Sequence, residues 1–388
     1  MVAHRLTSPT AHPADAPVCV LSGYYGFNNL GDELLLSVLV EQLQARGASP
    51  LVLSANPVLT QYQHGVAAVS RTNPVAVATA LRQASLLISG GGGLFQDVTG
   101  PASPAYYGGV IQLAKWLGTP VAMVGQSIGP LTTPLGQKLT AHAVKQCQLV
   151  ALRDAPSVAW AKHYAQAAPL TMADLAWLTP APLTANTPPQ PTDVWRVGIS
   201  LRPHAELTHQ RIAHLAQVLC DVTAESTQAV EFVMLPFHPA EDKPILHILA
   251  SYLQETLAKP RPAMASVTWP TLTPEALDDD GEAPFLPDAD TWQRPLQALA
   301  SCHMVVGMRF HAVLMAMRYG VPVFGLAYDP KVDALLDSVL LRGCPIGQLE
   351  TLDSTKLRYY FSHYPLIPQQ TQQDSVQVAL NALAALYF

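Results

Sequence analysis

The sequence predicts an α/β fold with two doubly wound domains. The chain has 388 residues, which exceeds the size at which a single hydrophobic core usually stops growing. Short apolar runs alternate with longer amphipathic stretches along most of it, the pattern of repeated β-α-β units and a parallel sheet. With 49% hydrophobic and 13% charged residues, the chain has enough apolar material for two cores.

The first domain is expected at residues 18–179, after a flexible, polar and Pro-rich N-terminus at 1–17. Val18–Ser22 predicts the first strand, and the amphipathic stretch 32–46 predicts the helix that follows it. The same alternation continues to the end of the domain. Further strands are expected at 51–54, 86–89, 121–124 and 149–152, and further helices at 104–117 and 135–147.

A second domain is expected at residues 194–345. The segment 180–193 before it has five prolines and no apolar periodicity, which predicts an extended linker. An insertion at 259–290, rich in Pro and acidic residues, predicts a solvated, mobile loop. The tail 346–388 ends in an amphipathic helix, 375–387, expected to pack at the domain junction. The strands of this domain are expected at 197–201, 231–235, 266–269, 304–307 and 321–326.

The charge balance restricts the partners. The formal net charge is -6, whereas a protein whose main partner is nucleic acid is expected to carry a basic face. We therefore expect no nucleic-acid partner, and we expect any bound anion to be held by a few placed groups.

The five cysteines are dispersed and have no CxxC spacing, which predicts free thiols in a reducing compartment rather than disulfides or a zinc site. The N-terminus lacks the apolar stretch of a signal peptide, and no apolar run is long enough to span a bilayer. These features predict a cytoplasmic protein with at most peripheral membrane association.

Ligands of open α/β sheets bind beyond the carboxyl ends of the strands, where helix N-termini favour anions. The first such loop is GYYGFNNLGDE at 23–33. Its glycines have P-loop spacing, but Asp32 and Glu33 replace the Lys-Ser/Thr pair, so no nucleotide triphosphate is expected there. By themselves, Asp32 and Glu33 are best explained as favourable charge at a helix start. The alternative is that one of them orients or deprotonates a substrate hydroxyl.

Two more glycine-bearing segments follow strands. SGGGGLFQD at 89–97 has four successive glycines, more than a turn needs, which predicts the close approach of a ligand or another backbone. GQSIGP at 125–130 is expected to form a loop beside it. Gly31, Gly91, Gly92 and Gln126 are the resulting candidates for a wall of the binding site.

The segment GMRFH at 307–311 places Arg309 and His311 at the expected start of a helix. Arginine has a planar fork that suits carboxylate or phosphate, and histidine exchanges protons near neutral pH. A single histidine before an apolar helix is more often structural. An Arg-x-His pair at a strand end, in a chain this poor in charge, favours a functional site.

Three further strand-end residues are candidates. Arg202 follows a strand of the second domain, and His238 lies in LPFH at 235–238. Arg153 ends a strand of the first domain, where an ion pair with Asp154 or a capping role is an equal alternative. There is no HExxH motif, no clustered ligand spacing and no GxSxG elbow, so neither a metal site nor a serine nucleophile is expected.

Seven blocks in order, from Gly23 to Asp333, together resemble the bacterial polysaccharide pyruvyl transferase family, in its CsaB-type branch. Departures from the family pattern are Asn28, Phe310 and Leu175, at positions where Gly, Leu and Pro are usual, and none removes a charged group. The blocks are GYYGFNNLGDE, SGGGGLFQD, GQSIGP, LRDAPS, ISLRP, LPFHPAED and GMRFHAVLMAMRYGVPVFGLAYDPKVD.

The resemblance implies a glycosyltransferase-B-like architecture, with two Rossmann-like domains facing across a cleft. It implies that phosphoenolpyruvate gives its three-carbon unit to two hydroxyls of a sugar, forming a pyruvate ketal and releasing phosphate. Phosphoenolpyruvate is then a co-substrate, and no cofactor is expected. Donor binding carries over to Arg309, His311 and Arg202, and Phe310, which lies between two of them, is a further candidate for donor binding.

On this reading Arg309 and Arg202 hold the donor in the C-terminal half, Arg153 of the first domain is a further candidate for donor binding, and His311 transfers a proton. A helix start should lower the pKa of His311 and a nearby phosphate should raise it, and the sequence does not decide between them. Asp32 is the candidate for activating the acceptor hydroxyl. The acceptor is a sugar or glycan, which a lipid could carry at the inner face of the plasma membrane. Its contacts are expected among Gly31, Glu33, Gly91, Gly92, Gln126 and His238.

Two other functions stay open. The same architecture serves glycosyltransferases that use a nucleotide sugar, which would consume no phosphoenolpyruvate. A non-catalytic protein that binds a phosphorylated metabolite or glycan would show ligand-induced stabilisation without turnover.

Overall fold

The computed structural model describes residues 16–98, 100–181, 194–224, 226–258, 265–270, 293–341, 343–365 and 367–387. These residues form two compact units. The first ends at Leu178 and resumes at Thr371, and the second spans Thr179–Gln370. Most of the expected linker (182–193) and most of the expected insertion (259–264 and 271–290) lie outside the described residues.

The described part of the first unit contains a seven-stranded parallel sheet with the order β3-β2-β1-β4-β5-β6-β7. Its central strands are buried along their length, as expected where helices cover both faces of a parallel sheet. The strands are β1 (Val18–Ser22), β2 (Ser49–Ser54), β3 (Ala67–Ser70), β4 (Leu86–Phe95), β5 (Val121–Ile128), β6 (Leu149–Leu152) and β7 (Leu170–Thr171).

Most helices of the first unit begin at a polar side chain that accepts a hydrogen bond from the backbone of the first turn, which defines their starts. These capping residues are Asn29, Asn56, Asn73, Thr133 and Asp154. The helices are α1 (Leu30–Ala45), α2 (Pro57–His64), α3 (Pro74–Gln83), α4 (Ala102–Trp116), α5 (Pro134–Gln146) and α6 (Ala155–Trp160).

The described part of the second unit contains a six-stranded parallel sheet with the order β10-β9-β8-β11-β12-β13. Part of the expected insertion is therefore a strand of this sheet. The strands are β8 (Val194–Ser200), β9 (Ala229–Met234), β10 (Ala265–Thr268), β11 (Met304–Gly307), β12 (Val323–Ala327) and β13 (Gly343–Pro345). The helices are α7 (His209–Thr223), α8 (Pro239–Leu257), α9 (Arg294–Ala300), α10 (Phe310–Arg318), α11 (Pro330–Ser338) and α12 (Ser354–Ser362).

The last helix, α13 (Gln369–Ala384), belongs to the first unit from Thr371 onward. Its side chains bond to that unit. Arg46 Nη2 donates to Gln377 Oε1 at 3.0 Å, and the Ala173 N–H donates to Ser375 Oγ at 2.9 Å. The C-terminal tail thus closes the first unit rather than the second.

The two sheets share one strand order, in which the direction of winding reverses beside the first strand of each unit. In such sheets ligands bind outside the carboxyl ends of the strands at the reversal. In the first unit these are β1 and β4, and in the second unit they are β8 and β11. The topology therefore marks one ligand-binding edge in each unit.

Two expected loops are strand segments. β4 runs through the glycine run to Phe95, and β5 runs through Gly125 and Gln126 to Ile128. The register of the two strands shifts between Gly92 and Phe95, which marks an irregularity such as a bulge. The prediction that loops begin at 89 and 125 was wrong, because both strands continue through their glycines.

The glycines of β4 make room for helix α1. A Cβ atom at Gly91 would lie 2.8 Å from Leu35 Cδ1, and one at Gly92 would lie 2.7 Å from Asp32 Oδ1. Both residues also have positive φ, +73° and +74°, which side chains rarely adopt. The close approach that four glycines predicted is therefore made by the side chains of α1.

The other expected elements are present with ends shifted by a few residues. The elements that the sequence did not predict individually are β3, β7, β13, α2, α3, α6, α7, α8, α9, α11 and α12. All five cysteines are free thiols, as predicted. In the described ranges, no helix is both long and apolar enough to cross a membrane.

Candidate functional site

Two arginines leave adjacent strands at the ligand-binding edge of the second unit. Ser200 at the end of β8 pairs in register with Gly307 at the end of β11. Arg202 and Arg309 each follow two residues later, and Arg309 is the N-cap residue of α10. The strand reversal thus brings together the two arginines that the sequence predicted for donor binding.

Arg309 is held by two carboxylates from the first turn of α8. Its Nε donates to both oxygens of Asp242, at 3.0 and 3.1 Å, and its Nη2 donates to Asp242 Oδ1 and, at 2.8 Å, to Glu241 Oε2. Asp242 is fully buried, whereas the Glu241 side chain is 46% exposed. Burial opposes the charge of Arg309, but the bonds from these carboxylates outweigh it and raise the pKa of Arg309.

Asp242 also fixes the loop after β9. Its Oδ2 accepts hydrogen bonds from the backbone N–H of Phe237 at 3.0 Å and of His238 at 2.8 Å. One buried carboxylate therefore sets the positions of both Arg309 and His238.

His238 and Glu241 extend this cluster. His238 Nε2 lies 3.9 Å from Glu241 Oε1, and in the described residues His238 Nδ1 is buried without a hydrogen-bond partner. Burial raises the pKa of Glu241, but the bond from Arg309 and the charges of His238, Arg309 and Arg202 outweigh it and lower the pKa overall. All three candidate cations of this edge therefore act on one carboxylate.

Arg202 differs from Arg309 in its neighbours. Its Nη1 donates to Tyr328 Oη at 3.0 Å, and its guanidinium carbon lies 4.9 Å from the centre of the Tyr328 ring. Within the described part of the chain no carboxylate lies within ion-pair distance of it, and its Nε and Ser200 Oγ are buried without hydrogen-bond partners. A half-buried cation with a buried, unpartnered Nε beside an unpartnered hydroxyl favours an anionic ligand.

His311 lies in the first turn of α10, where the sequence predicted it. Its ring packs edge-on against Phe310, with ring centres 5.1 Å apart. Phe310 therefore separates Arg309 from His311 along the chain and orients the imidazole by contact.

A cavity of about 410 Å³ lies at the carboxyl ends of β12 and β13. Its lining includes Tyr328, the partner of Arg202, together with Glu206, Asp329 and Asp333. Burial, with the negative charges of Asp337 and Asp329, raises the pKa of Asp333. Hydroxyl groups suit such a lining better than phosphate does.

In the first unit, Glu33 is a structural residue. Its side chain is buried, with Oε1 accepting from the Gly26 N–H at 2.8 Å and Oε2 lying 2.9 Å from His64 Nε2. The Gly31 N–H donates to the Asn29 side chain at 3.2 Å, which caps the helix. Both predicted acceptor contacts, Gly31 and Glu33, therefore hold the loop before α1 in place.

Asp32 lies at the start of α1 beside two tyrosines. Burial raises the pKa of Tyr25, and the charges of Asp32 and Glu33 add to this. Burial also raises the pKa of Tyr107 to about 12; Arg71 opposes the shift and Asp32 adds to it. Three carboxylates belong to α1. Glu33 is buried and Glu41 is exposed, whereas Asp32 is half-buried, which leaves it accessible to a ligand.

Gln126 and Arg153 belong to the interior of the first unit. Gln126 is fully buried, and its Nε2 donates to Ser89 Oγ at 2.7 Å. Arg153 donates to Ser127 Oγ at 2.7 Å and to Asp174 Oδ2 at 2.5 Å, with a side chain only 3% exposed.

The alternative of an ion pair between Arg153 and Asp154 is therefore wrong. Asp154 caps α6 by accepting from the Ser157 N–H at 2.8 Å, because it directly precedes that helix. Arg153 is neutralised by Asp174 instead and lies in the first unit, whereas Arg202 and Arg309 lie in the second.

The sequence did not single out three charged residues of these two edges. Glu241 and Asp242 are part of the LPFHPAED block, whose histidine alone was chosen. Arg71 follows β3, a strand that the sequence did not predict. Its guanidinium carbon lies 4.1, 5.2 and 5.3 Å from the ring centres of Tyr106, Phe27 and Tyr107.

No group of three or more His, Cys, Asp or Glu residues in the described ranges could hold a metal ion.

Comparison with solved structures gives the same architecture. A glycosyltransferase from Rickettsia africae matches 96% of this chain and 98% of its own, with a TM-score of 0.55 and 10% identity. A UDP-GlcNAc 2-epimerase from Methanocaldococcus jannaschii matches 95% of this chain and 99% of its own, with a TM-score of 0.59 and 8% identity. The Neisseria meningitidis epimerase bound to UDP-GlcNAc matches 95% and 100%, with a TM-score of 0.55 and 10% identity.

These similarities confirm the predicted fold class, an α/β fold of two Rossmann-like domains of the glycosyltransferase-B type. Comparison with curated proteins gave no match. A family model described as polysaccharide pyruvyl transferase matches residues 29–330, which include every site residue that the sequence predicted. The chain belongs to the polysaccharide pyruvyl transferase family.

Proposed function

We propose that the protein transfers the three-carbon unit of phosphoenolpyruvate to two hydroxyls of a sugar in a cell-wall or exopolysaccharide precursor. The product is a pyruvate ketal, and phosphate is released. Phosphoenolpyruvate acts as co-substrate, without a cofactor. The second unit binds this donor, and the first unit binds the acceptor.

The observation that carries this proposal is the pair Arg202 and Arg309 on adjacent strands at the reversal point of the second sheet. Phosphoenolpyruvate presents a carboxylate and a phosphate, so two cations at fixed separation suit it. Arg202 has no carboxylate partner in the described residues, and Ser200 Oγ beside it has hydrogen-bonding capacity to spare. The N-terminus of α10 adds its partial positive charge.

The reaction requires two proton transfers that balance. The methylene carbon of the donor gains a proton, which leaves an electron-deficient carbon that the first sugar hydroxyl attacks. Loss of phosphate regenerates such a centre, and the second hydroxyl attacks it. The two hydroxyls lose one proton each. One of these protons restores the group that protonated the methylene carbon, and the other leaves on phosphate. His311 is the proposed carrier of the first of these protons, supported by its position in the first turn of α10 beside Arg309.

Asp32 is the proposed base for an acceptor hydroxyl. It lies at the ligand-binding edge of the first unit, and it is half-buried whereas Glu33 beside it is committed to Gly26 and His64. Four of the predicted acceptor contacts are buried in contacts within the first unit: Gly91, Gly92, Gln126 and Glu33. Asp32 is therefore the predicted acceptor residue of this unit to which we assign a role in the chemistry.

The test is to incubate the protein with phosphoenolpyruvate and a panel of glycan acceptors, including lipid-linked ones, and to measure phosphate release and product mass. We expect phosphate release that depends on the acceptor, with an added mass that matches a pyruvate ketal. A lipid-linked acceptor would bring the enzyme to the inner face of the plasma membrane.

Transfer from a nucleotide sugar is the second candidate, supported by the acidic cavity beside Tyr328, whose carboxylates suit sugar or ribose hydroxyls. It predicts cleavage of a nucleotide sugar in the same assay and no consumption of phosphoenolpyruvate. Binding of phosphoenolpyruvate without turnover of either donor would instead favour a binding protein.

A further inference from the structure

Arg71 lies at the carboxyl edge of the first sheet, directly after β3. Its backbone is fixed on both sides. The Arg71 N–H donates to the Ser54 carbonyl at 2.9 Å, and Tyr106 Oη donates to the Arg71 carbonyl at 3.0 Å. The side chain is therefore presented from a rigid position on the edge where ligands of such sheets bind.

Aromatic rings surround the Arg71 guanidinium. Its central carbon lies 4.1 Å from the ring centre of Tyr106 and 5.2 Å from that of Phe27. Phe27 itself stacks in parallel on Tyr24, with ring centres 4.0 Å apart and an angle of 8°. These rings hold the guanidinium in place by cation–π attraction.

Among the described residues of the first unit, no carboxylate neutralises the charge of Arg71. Its protein acceptors in the described residues are Tyr107 Oη at 3.4 Å and the Gly23 carbonyl at 3.5 Å, both long and both reached from Nη1. No carboxylate of the described chain lies within ion-pair distance of it. Arg153 in the same unit is, by contrast, locked to Asp174. Arg71 thus resembles Arg202, which also rests on a ring without a carboxylate partner.

Tyr107 connects Arg71 with Asp32. Its hydroxyl accepts from Arg71, and the charge of Asp32 is close enough to raise its pKa. A cation with unused donors and a half-buried carboxylate therefore both act on one tyrosine, at the same edge of one sheet. A ligand that carries both an anionic group and hydroxyls would meet complementary groups at both ends.

We propose that Arg71 binds an anionic group of the acceptor, either a phosphate that links the sugar to its carrier or a carboxylate of the sugar itself. Tyr106 and Phe27 hold the guanidinium in place, and Asp32 faces the hydroxyls. The identity of the ligand as the acceptor rests on the proposed function, whereas the anion site at Arg71 does not.

The first test uses arginine-specific modification of the full chain by phenylglyoxal, with modified peptides measured by mass spectrometry. The probes are inorganic pyrophosphate, glucuronate and, as an uncharged control, glucose. We expect one of the two anions to slow modification of Arg71 by about fivefold or more, as a charge-assisted contact should. Arg82, an exposed arginine of α3, is the internal control and should react at an unchanged rate.

The two anions distinguish the two possible sources of the anionic group, the carrier phosphate and a sugar carboxylate. Protection by pyrophosphate and not by glucuronate assigns the site to a phosphate of the carrier linkage, and the reverse assigns it to an acidic sugar. Equal reactivity of Arg71 with and without both anions overturns the proposal, as does equal protection by glucose.

The second test uses Arg71→Gln, with Arg71→Lys and Arg82→Gln as matched variants and with thermal unfolding to confirm the fold of each. With an acceptor that supports turnover, we expect Arg71→Gln to raise the acceptor KM about tenfold or more, the loss expected for a charge-assisted bond. The KM of Arg71→Gln for phosphoenolpyruvate should stay at the wild-type value. The acceptor KM of Arg71→Lys should lie between those of wild type and Arg71→Gln.

An unchanged acceptor KM in Arg71→Gln rejects a role for Arg71 in acceptor binding. If no acceptor supports phosphate release at all, the proposed function fails, while protection of Arg71 by an anion still decides whether the site exists. The two failures are therefore distinguishable.

Discussion

Glu241 accepts a hydrogen bond from Nη2 of Arg309 at 2.8 Å, although the Glu241 side chain is 46% exposed. An anion of the protein itself thus occupies one donor of the arginine that we propose for phosphoenolpyruvate. Asp242, fully buried, holds Nε of the same guanidinium and cannot swing away. Glu241 can, and its departure would expose Nη2 to the donor substrate.

We therefore expect Glu241→Gln to bind the donor more tightly. Glutamine keeps the acceptor oxygen but removes a competing negative charge, so the KM for phosphoenolpyruvate should fall about fivefold. Steady-state kinetics at fixed acceptor concentration measure this. Glu255→Gln, an exposed change near the other end of α8, should leave the KM unchanged. A raised KM in Glu241→Gln would mean that Glu241 helps to bind the donor.

His311→Ala should lose most phosphate release from phosphoenolpyruvate. General acid-base catalysis by one side chain contributes about 10²- to 10⁴-fold, and the kcat should fall within that range. His238→Ala, which removes the histidine beside Glu241, should raise the KM for the donor more than it lowers the kcat. His142→Ala, on the exposed face of α5, is the control. Near-normal release by His311→Ala would contradict the role given to His311.

Arg153→Gln should destabilise the protein without altering donor affinity. The variant leaves Asp174 buried without its cation, which costs about 3 kcal/mol or more of unfolding free energy. Lys356→Gln breaks the exposed pair with Asp353, whose side chains are 70% and 51% exposed, and should cost far less, because solvent screens exposed ion pairs. Urea unfolding compares the two. A higher KM for phosphoenolpyruvate in folded Arg153→Gln would restore Arg153 to the donor site.

Gly91→Ala tests whether the glycine run serves packing. The new methyl group would collide with Leu35 at a residue with positive φ, so we expect a loss on the order of 2 kcal/mol of unfolding free energy. Combined with Leu35→Ala, the loss should be less than the sum of the single changes. Gly109→Ala in α4, where nothing lies within 4 Å, should be neutral or stabilising. Additive costs in the double variant would mean that Leu35 is not what requires the glycine.

Asp97 should make the unfolding free energy of the first unit depend on pH in the acid range. Burial alone would raise its pKa, but hydrogen bonds from the side chains and backbone of Thr133 and Thr132 hold the pKa at about 2, below the ordinary 3.8. A lowered folded pKa stabilises the fold above the ordinary value, and this contribution is lost as the pH falls from about 4 through about 2.

Asp97→Asn removes that contribution. At neutral pH the variant should be less stable than wild type by about 2 kcal/mol, the worth of bonds to a charged group. The difference in unfolding free energy should shrink as the pH is lowered towards 2. A difference that is constant with pH would show that the charge of Asp97 does not stabilise the fold.

The fold class could be predicted from the sequence because apolar strands and amphipathic helices alternate with little interruption. Short edge strands such as β3 and β13 were missed because three or four residues carry too little periodicity. The glycine run was assigned to a loop because a sequence does not show that Leu35 and Asp32 of a preceding helix need the space.

The residues of the candidate site were likewise predictable only where the signal in the sequence is local. Arg202, Arg309, His238 and His311 were predicted because strand ends and an Arg-x-His pair are visible locally. Which arginines are neutralised was not predictable, since Asp174 is 21 residues from Arg153 and Asp242 is 67 residues from Arg309. Arg71 was missed because its strand was missed.

The packing of α1 against residues 90–92 bears on how acceptor choice could be redesigned. Library mutagenesis guided by sequence alone would randomise this glycine run first, and most of its members would be unfolded proteins. Randomising Arg71, Phe27 and Tyr106 instead would vary side chains that already project from a framework anchored elsewhere. A small library at these three positions is therefore the one expected to yield folded enzymes with new acceptor preferences.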